Sequence, residues 1–274
     1  MKKIFDYVVI GGGSGGLSSA RRAAKLGKQV CLIESLELGG TCVNKGCVPK
    51  KIMWNAASML HDLKLSSEYG ISTETSFNWA TLKSNRNSHI SDLHRIYAAN
   101  LSKDGVSHIN GFARFKDSYT VEVDGYGKLS APHILISTGS KPIMPDIPGK
   151  EHISNSDDFF AIESAPESAL IIGNGYIASE LTGLLNTFGT KTSITLRHDQ
   201  FLGNFDRSIS GLLREVMENS GITFLPNRNV VQVKRQEKKL VAIFDTGEEH
   251  PYEKIFACIG RKACLLYTSD AADE

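Results

Sequence analysis

The chain has 274 residues, 41% of them hydrophobic, and its 31 basic and 30 acidic side chains leave a formal net charge of +1. That length suits one large domain or two medium ones, each able to bury a core, and the balanced charge excludes a broad field attracting nucleic acid or a membrane surface. No stretch approaches the roughly 18 apolar residues of a membrane span, and five cysteines are too few for a secreted disulfide framework, so a cytoplasmic protein with locally chosen partners is expected.

The opening MKKIFDYVVIGGG is only superficially like a signal sequence: Asp6 interrupts the apolar run, and glycines stand where a cleavage site would be. It predicts a first strand, followed by a glycine turn, an amphipathic helix ending at Gly27 and a second strand ending at Glu34. Cys31, between Val30 and Leu32, is expected to be inert core. GGTCVNKGCVPKK, residues 39–51, then sets Cys42 and Cys47 five positions apart, ahead of a helix predicted from Cys47 and Pro49 through KKIMWNAASML. Residues 119–123 and the segment HILISTGSKPIMP predict strands that lead into a Pro-rich connector at 141–149, the expected domain boundary. The first grammar then repeats in ALIIGNGYIASELTGLLNTFGTKTSITLRH, with Gly173 for Gly11, Gly175 for Gly13, Ala178 for Gly16 and Gly189 for Gly27, each 162 positions later. A helix over 208–219 and strands near 230–233, 240–244 and 254–257 follow.

A lone glycine motif is weak, but here each copy follows a strand, opens a helix and precedes a second strand, which is the context a dinucleotide fold requires. The first glycine permits the tight turn and the second lets backbone approach a pyrophosphate. The third lets helix and strand pack closely while the helix N-terminus faces the phosphates. The predicted fold class is therefore α/β with two Rossmann-like dinucleotide-binding domains, 1–141 and 142–263. At the end of the second strand of the first unit, Glu34 suits free ribose hydroxyls, which favours FAD or NAD. The equivalent in the second unit is Arg197, followed by His198, where a guanidinium can grip a ribose phosphate, which favours NADPH. Either charge alone reads as well as a solvated strand end; the change of sign at matching places favours the coenzyme reading.

Three roles compete for Cys42 and Cys47. Zinc needs about four ligands, and no second Cys or His pair with such spacing lies nearby, so no metal is expected. A static disulfide would close a tiny loop in a reducing compartment and constrain little. A redox pair fits better, because a helix beginning at Cys47 favours thiolate over thiol there.

GGTCVNKGCVPKK, with GGGSGG before it, GYIASEL after it and LRHD beyond, resembles the flavin-dependent pyridine nucleotide-disulfide oxidoreductases over about 260 residues. The resemblance implies electron flow from NADPH through FAD to the Cys42–Cys47 disulfide, then to a disulfide substrate. It implies Cys47 as the thiol facing the flavin and Cys42 as the one attacking substrate. Lys50 would lie near the flavin, paired with Glu180, and Tyr176 would cover the nicotinamide pocket. Implied FAD contacts are Gly11, Gly13, Ser14, Gly15, Gly16, Glu34, Gly40, Thr41, Ala113, Thr138 and Gly139. Implied NADPH contacts are Gly173, Gly175, Ile177, Ala178, Arg197, His198 and Gly260.

Within the family, Arg21 and the run IYAAN, which holds Tyr97, resemble the branch that reduces glutathione disulfide, with Ser14 beside them. A cationic Arg21 suits that substrate's free carboxylates; the bland alternatives are a surface charge and a core aromatic. The trypanothione-reducing branch carries an acid and a Trp on the first helix, where this chain has Ser18 and Arg21. Dihydrolipoamide dehydrogenases usually show an acid at the place of Arg197. Two departures stand out: the family's second phosphate-binding Arg is Gly203, which predicts a weakened NADPH preference, and Lys45 replaces the usual Val between the cysteines.

Residues 264–274, CLLYTSDAADE, resemble nothing in the family and read as a translated transposase-type sequencing adapter, so a non-native tail is expected there. By the resemblance, the segment that closes the FAD domain would be missing, leaving that domain incomplete, together with the C-terminal domain that forms the homodimer and supplies an acid–base His–Glu pair across the subunit boundary. The chain alone would then be an inactive nucleotide-binding piece of an active enzyme.

Overall fold

The computed structural model describes residues 3–265, which divide into two compact units. The first holds residues 3–50, 85–141 and 263–265; the second holds Lys51–Ser84 and Pro142–Lys262. The 266–274 part of the expected tail lies outside the described residues. Among those described, no helix is long and apolar enough to cross a membrane.

The first unit is built on a parallel sheet ordered Ser107–Asn110, Val30–Glu34, Tyr7–Ile10, His133–Ile136. Its two central strands read YVVI and VCLIE, near-continuous apolar runs, because both faces are covered. Side chains alternate between those faces. Val9 and Leu32 pack with Leu17 and Ala20 of helix Ser14–Lys25 and with Leu101 of helix Trp79–Lys103. Val8, Ile10, Cys31 and Ile33 face the other way, onto Val121, Val123 and Leu129. Those partners sit on an antiparallel meander of Ala113–Asp117, Thr120–Val123 and Gly127–Ser130, to which Lys3–Ile4 adds a parallel edge.

The second unit repeats the scheme with a five-stranded parallel sheet ordered Ser154–Asn155, Lys254–Ala257, Ser168–Ile172, Lys191–Leu196, Thr223–Pro226. Ala169, Ile171, Ile194 and Phe256 meet Leu181, Leu184 and Leu185 of helix Tyr176–Thr187 and Met217 of helix Arg207–Asn219. On the opposite face Leu170, Ile255 and Ala257 meet Ala242, Phe244 and Tyr252 of an antiparallel sheet, Val230–Gln236, Lys239–Phe244 and Glu249–Tyr252. Met53, Ala57 and Trp79 join this core, and the Trp79 Nε1–H donates to the Ile162 carbonyl at 3.2 Å. Lys51–Ser84, which the sequence assigns to the first domain, thus groups by its contacts with the second unit.

Candidate active site

The two glycine turns are built alike, and backbone contact explains their glycines. In the first, Gly11 N–H donates to Ile33 O at 2.8 Å and Ser137 N–H to Ile10 O at 2.8 Å. In the second, Gly173 N–H donates to Thr195 O at 3.4 Å and Cys258 N–H to Ile172 O at 2.7 Å. Gly11 and Gly173 have φ of +106° and +132°, and a Cβ on either would lie 2.3 Å from a carbonyl oxygen, of Ser137 and Cys258 respectively. A Cβ on Gly16 would come within 1.8 Å of Gly11 O, whereas Ala178, its counterpart, fits as a fully buried side chain.

Gly15 and Gly175 differ from these: a Cβ on either would meet nothing within 4 Å. Helices Ser14–Lys25 and Tyr176–Thr187 begin after Gly13 and Gly175 with no side-chain cap. Each turn therefore offers uncapped N–H groups beside open space, a setting that fits the pyrophosphate of a dinucleotide.

At the first strand end, Glu34 accepts from Gly12 N–H at 2.6 Å and from Leu36 N–H at 2.8 Å. A carboxylate has about four acceptor sites, so two remain for ribose hydroxyls. At the second, Arg197 and His198 are exposed at the end of Lys191–Leu196. The following loop is tied to the glycine turn, since Leu202 N–H donates to Asn174 O at 3.0 Å and Asn174 Nδ2 to Gln200 O at 2.9 Å. Gly203 lies against the Gln200 side chain in that loop.

The cysteine segment docks on the first glycine turn. Gly39, at φ +104°, donates to Gly12 O at 2.8 Å, and a Cβ on Gly40 would fall 2.7 Å from Gly13 Cα. A short helix, Gly40–Lys45, carries Cys42, and helix Cys47–Leu65 begins at Cys47, as the sequence predicts. Both thiols are free, Cys42 half-buried and Cys47 exposed. The Cys42 thiol is hydrogen-bonded to Cys47 and to the Ser14 hydroxyl. Burial first, then the neighbouring Cys47 thiol, push the Cys42 thiol above its ordinary range, and hydrogen bonds from the Cys47 backbone N–H and, after it, the Ser14 hydroxyl oppose this. Cys31 and Cys258 are buried elsewhere, and desolvation pushes both up to about 12.

Asn44, between the cysteines, escapes sequence pattern. Its Nδ2 reaches the carbonyls of Gly40 at 2.9 Å and of Glu37 and Leu38 at 3.3 Å, and its Oδ1 lies 2.6 Å from His94 Nε2. Lys45 is exposed.

The remaining expected residues are placed as follows. Lys50 continues helix Cys47–Leu65 in the first unit, and Glu180 is an exposed member of helix Tyr176–Thr187 in the second. Tyr176 opens that helix 58% exposed, followed by half-buried Ile177. Arg21 Nε donates to Asp104 at 2.6 Å, and this bond holds the Asp104 carboxyl below the usual range. Tyr97 packs half-buried against the core around Leu101. Thr41 is exposed beside Cys42, and Ala113 is buried at the start of its strand. Thr138 Oγ1 donates to Cys264 O at 2.6 Å while Cys264 N–H donates to Gly139 O at 3.0 Å. Gly260, at φ +119°, accepts from Ile143 N–H.

Residues 5–271 match the family described as pyridine nucleotide-disulphide oxidoreductase. Over 247 residues the chain is 46% identical to a glutathione reductase of Schizosaccharomyces pombe, covering 87% of this chain and 53% of that protein. Over 256 residues it is 39% identical to a glutathione reductase of Yarrowia lipolytica, covering 88% of this chain and 54% of that protein. The chain spans about half the length of the curated relatives it matches.

Proposed function

The chain belongs to the pyridine nucleotide-disulphide oxidoreductase family, and on that premise we propose that it carries the electron-receiving half of a cytoplasmic, NADPH-dependent glutathione disulfide reductase. The observation that carries this reading is the contact of Cys42 with Cys47 and with Ser14, directly beside the first glycine turn. FAD, held by the first glycine turn and Glu34, would supply the relay that moves an electron pair from NADPH to the Cys42–Cys47 disulfide.

The two thiols divide the remaining chemistry. Cys42, as thiolate, attacks one sulfur of glutathione disulfide, forming a mixed disulfide and releasing one glutathione. Cys47 then attacks the Cys42 sulfur, closes the intramolecular disulfide and releases the second. The Ser14 hydroxyl donates to the Cys42 sulfur and so favours the attacking form. Arg21 supports glutathione's carboxylates, for although its Nε is given to Asp104, a guanidinium keeps further donors. Arg197 and His198 would hold the NADPH ribose phosphate and Tyr176 would screen the nicotinamide, while Lys50 would serve near the flavin. The homodimer and the acid–base pair for the leaving thiol belong, on this reading, to the length of the relatives that the chain does not span.

The test is anaerobic titration of the FAD-reconstituted chain with NADPH, followed by alkylation and mass analysis of the cysteines. Reduction should expose two new thiols, at Cys42 and Cys47; flavin reduction without them would sink the proposal. Substrate choice is read on full-length protein with glutathione disulfide, lipoamide and trypanothione disulfide in competition, and a preference for lipoamide would overturn the assignment to glutathione.

A further inference from the structure

Asn44 is fixed in orientation by the chain around it. Three backbone carbonyls, of Glu37, Leu38 and Gly40, surround its Nδ2. Carbonyls accept only, so the amide must present its NH₂ to them and its Oδ1 to the far side. There it meets His94 Nε2 at 2.6 Å, reaching from helix Trp79–Lys103. An amide oxygen also accepts only, so Nε2 is the protonated ring nitrogen. The other ring nitrogen, Nδ1, lies 3.5 Å from Glu37 Oε2 at the start of the same loop. His94 is therefore a peg from a long helix into the six-residue helix Gly40–Lys45, which is too short to be stable by itself and which carries Cys42.

We infer that His94 is a positioning residue for the redox pair: by donating to Asn44 it holds helix Gly40–Lys45 in the register that keeps the Cys42 sulfur against Cys47. The inference rests on the reading of Cys42 and Cys47 as a redox pair. Two thiols held in contact close a disulfide at high effective concentration, and loosening one of them lowers that concentration without touching either sulfur.

The experiment measures the Cys42–Cys47 dithiol–disulfide equilibrium of the whole chain against reduced and oxidised dithiothreitol; each disulfide formed on the protein is matched by one dithiothreitol reduced. His94→Phe keeps the ring volume and loses the donor, whereas His94→Gln keeps an N–H donor at about the same reach and loses the ring. His94→Phe should lower the equilibrium constant for disulfide formation about tenfold, equivalent to about 30 mV, and His94→Gln should stay within about twofold of the parent. A merely structural role would shift both variants alike, or lower melting temperature with no change in the equilibrium, and either result overturns the inference. The unsubstituted chain gives an independent reading: the neutral His94 ring should carry its proton on Nε2 in a nitrogen NMR spectrum, and a proton on Nδ1 would overturn it. A parent chain whose two cysteines form no disulfide would instead remove the underlying redox reading.

Discussion

The Cβ that Gly16 lacks would lie 1.8 Å from the carbonyl oxygen of Gly11. Helix Ser14–Lys25 thus leaves the strand Tyr7–Ile10 at a distance that no side chain can share. Five residues apart in one motif, these glycines meet a folding demand, while Gly15, with open space before it, does not.

That contrast yields a paired prediction. Gly16→Ala forces backbone against backbone and should destabilise the chain by roughly 3 kcal/mol or more, seen as failure to fold or a large loss in denaturant midpoint. Gly15→Ala should fold with an unchanged midpoint and lose FAD affinity, because its methyl group enters the space a pyrophosphate would need. Gly175→Ala should do the same for NADPH. Fluorescence titration with each nucleotide, beside circular dichroism melts, separates the outcomes; full FAD affinity in Gly15→Ala would show that the space serves something else.

Cys42 should be slower to alkylate than a free cysteine at neutral pH. Its thiol is pushed above the ordinary range by burial and by Cys47, so less thiolate is present, and the pH profile of the iodoacetamide rate should be displaced to higher pH. Ser14→Ala removes one of the two opposing hydrogen bonds, leaving that of the Cys47 backbone N–H, and should move the profile further up, lowering the neutral rate by up to about tenfold, the worth of roughly 1.4 kcal/mol for a bond to a charged sulfur. A faster rate in Ser14→Ala would contradict this.

Alkaline stability follows from the two buried thiols. Below pH 9 both folded and unfolded chains keep Cys31 and Cys258 protonated, and the thiols add no pH dependence. Between the ordinary value of 9.0 and the folded value of about 12, the unfolded chain releases protons that the folded chain retains, so stability falls as pH rises. The slope should be about 1.4 kcal/mol per pH unit for each thiol. Cys258→Ala should remove about half of the slope, measured by urea unfolding across that range, and an unchanged slope would point to other groups.

Coenzyme preference should depend on Arg197 and respond to Gly203. Arg197→Ala is expected to lower kcat/KM for NADPH by about 10- to 100-fold, the range of one charge-assisted hydrogen bond at roughly 1.5–3 kcal/mol, with little effect on NADH. Gly203→Arg should raise the NADPH-to-NADH ratio. Steady-state kinetics with both coenzymes on full-length protein decides this, and a parent preference for NADH would remove the role given to Arg197.

The strand, turn and helix of each dinucleotide unit were legible because their cause is local: apolar runs such as YVVI and SALII, then glycines that only a tight turn requires. Helix Arg207–Asn219 was legible to within one residue, since Asp206 caps it by accepting from Ser208 and Ile209 N–H. Hidden from the sequence was whatever depends on distant partners. Nothing near Trp79 announces that its indole donates to Ile162, and the grouping of Lys51–Ser84 with the second unit follows from such contacts. The bond from Arg21 to Asp104 joins positions 83 residues apart. At the cysteines, spacing revealed the pair, but Asn44 and His94 carry no pattern, because their bond depends on where two separate helices cross.

The tether from Asn174 to Gln200 and Leu202 has an engineering consequence. The loop that would read a ribose phosphate and the turn that would seat the pyrophosphate are stitched into one body, so they shift together. Exchanging side chains at 197 or 203 alone retunes charge on a frame still set by Asn174. A transplant that changes coenzyme cleanly should carry residues 173–175 and 197–203 as a single cassette.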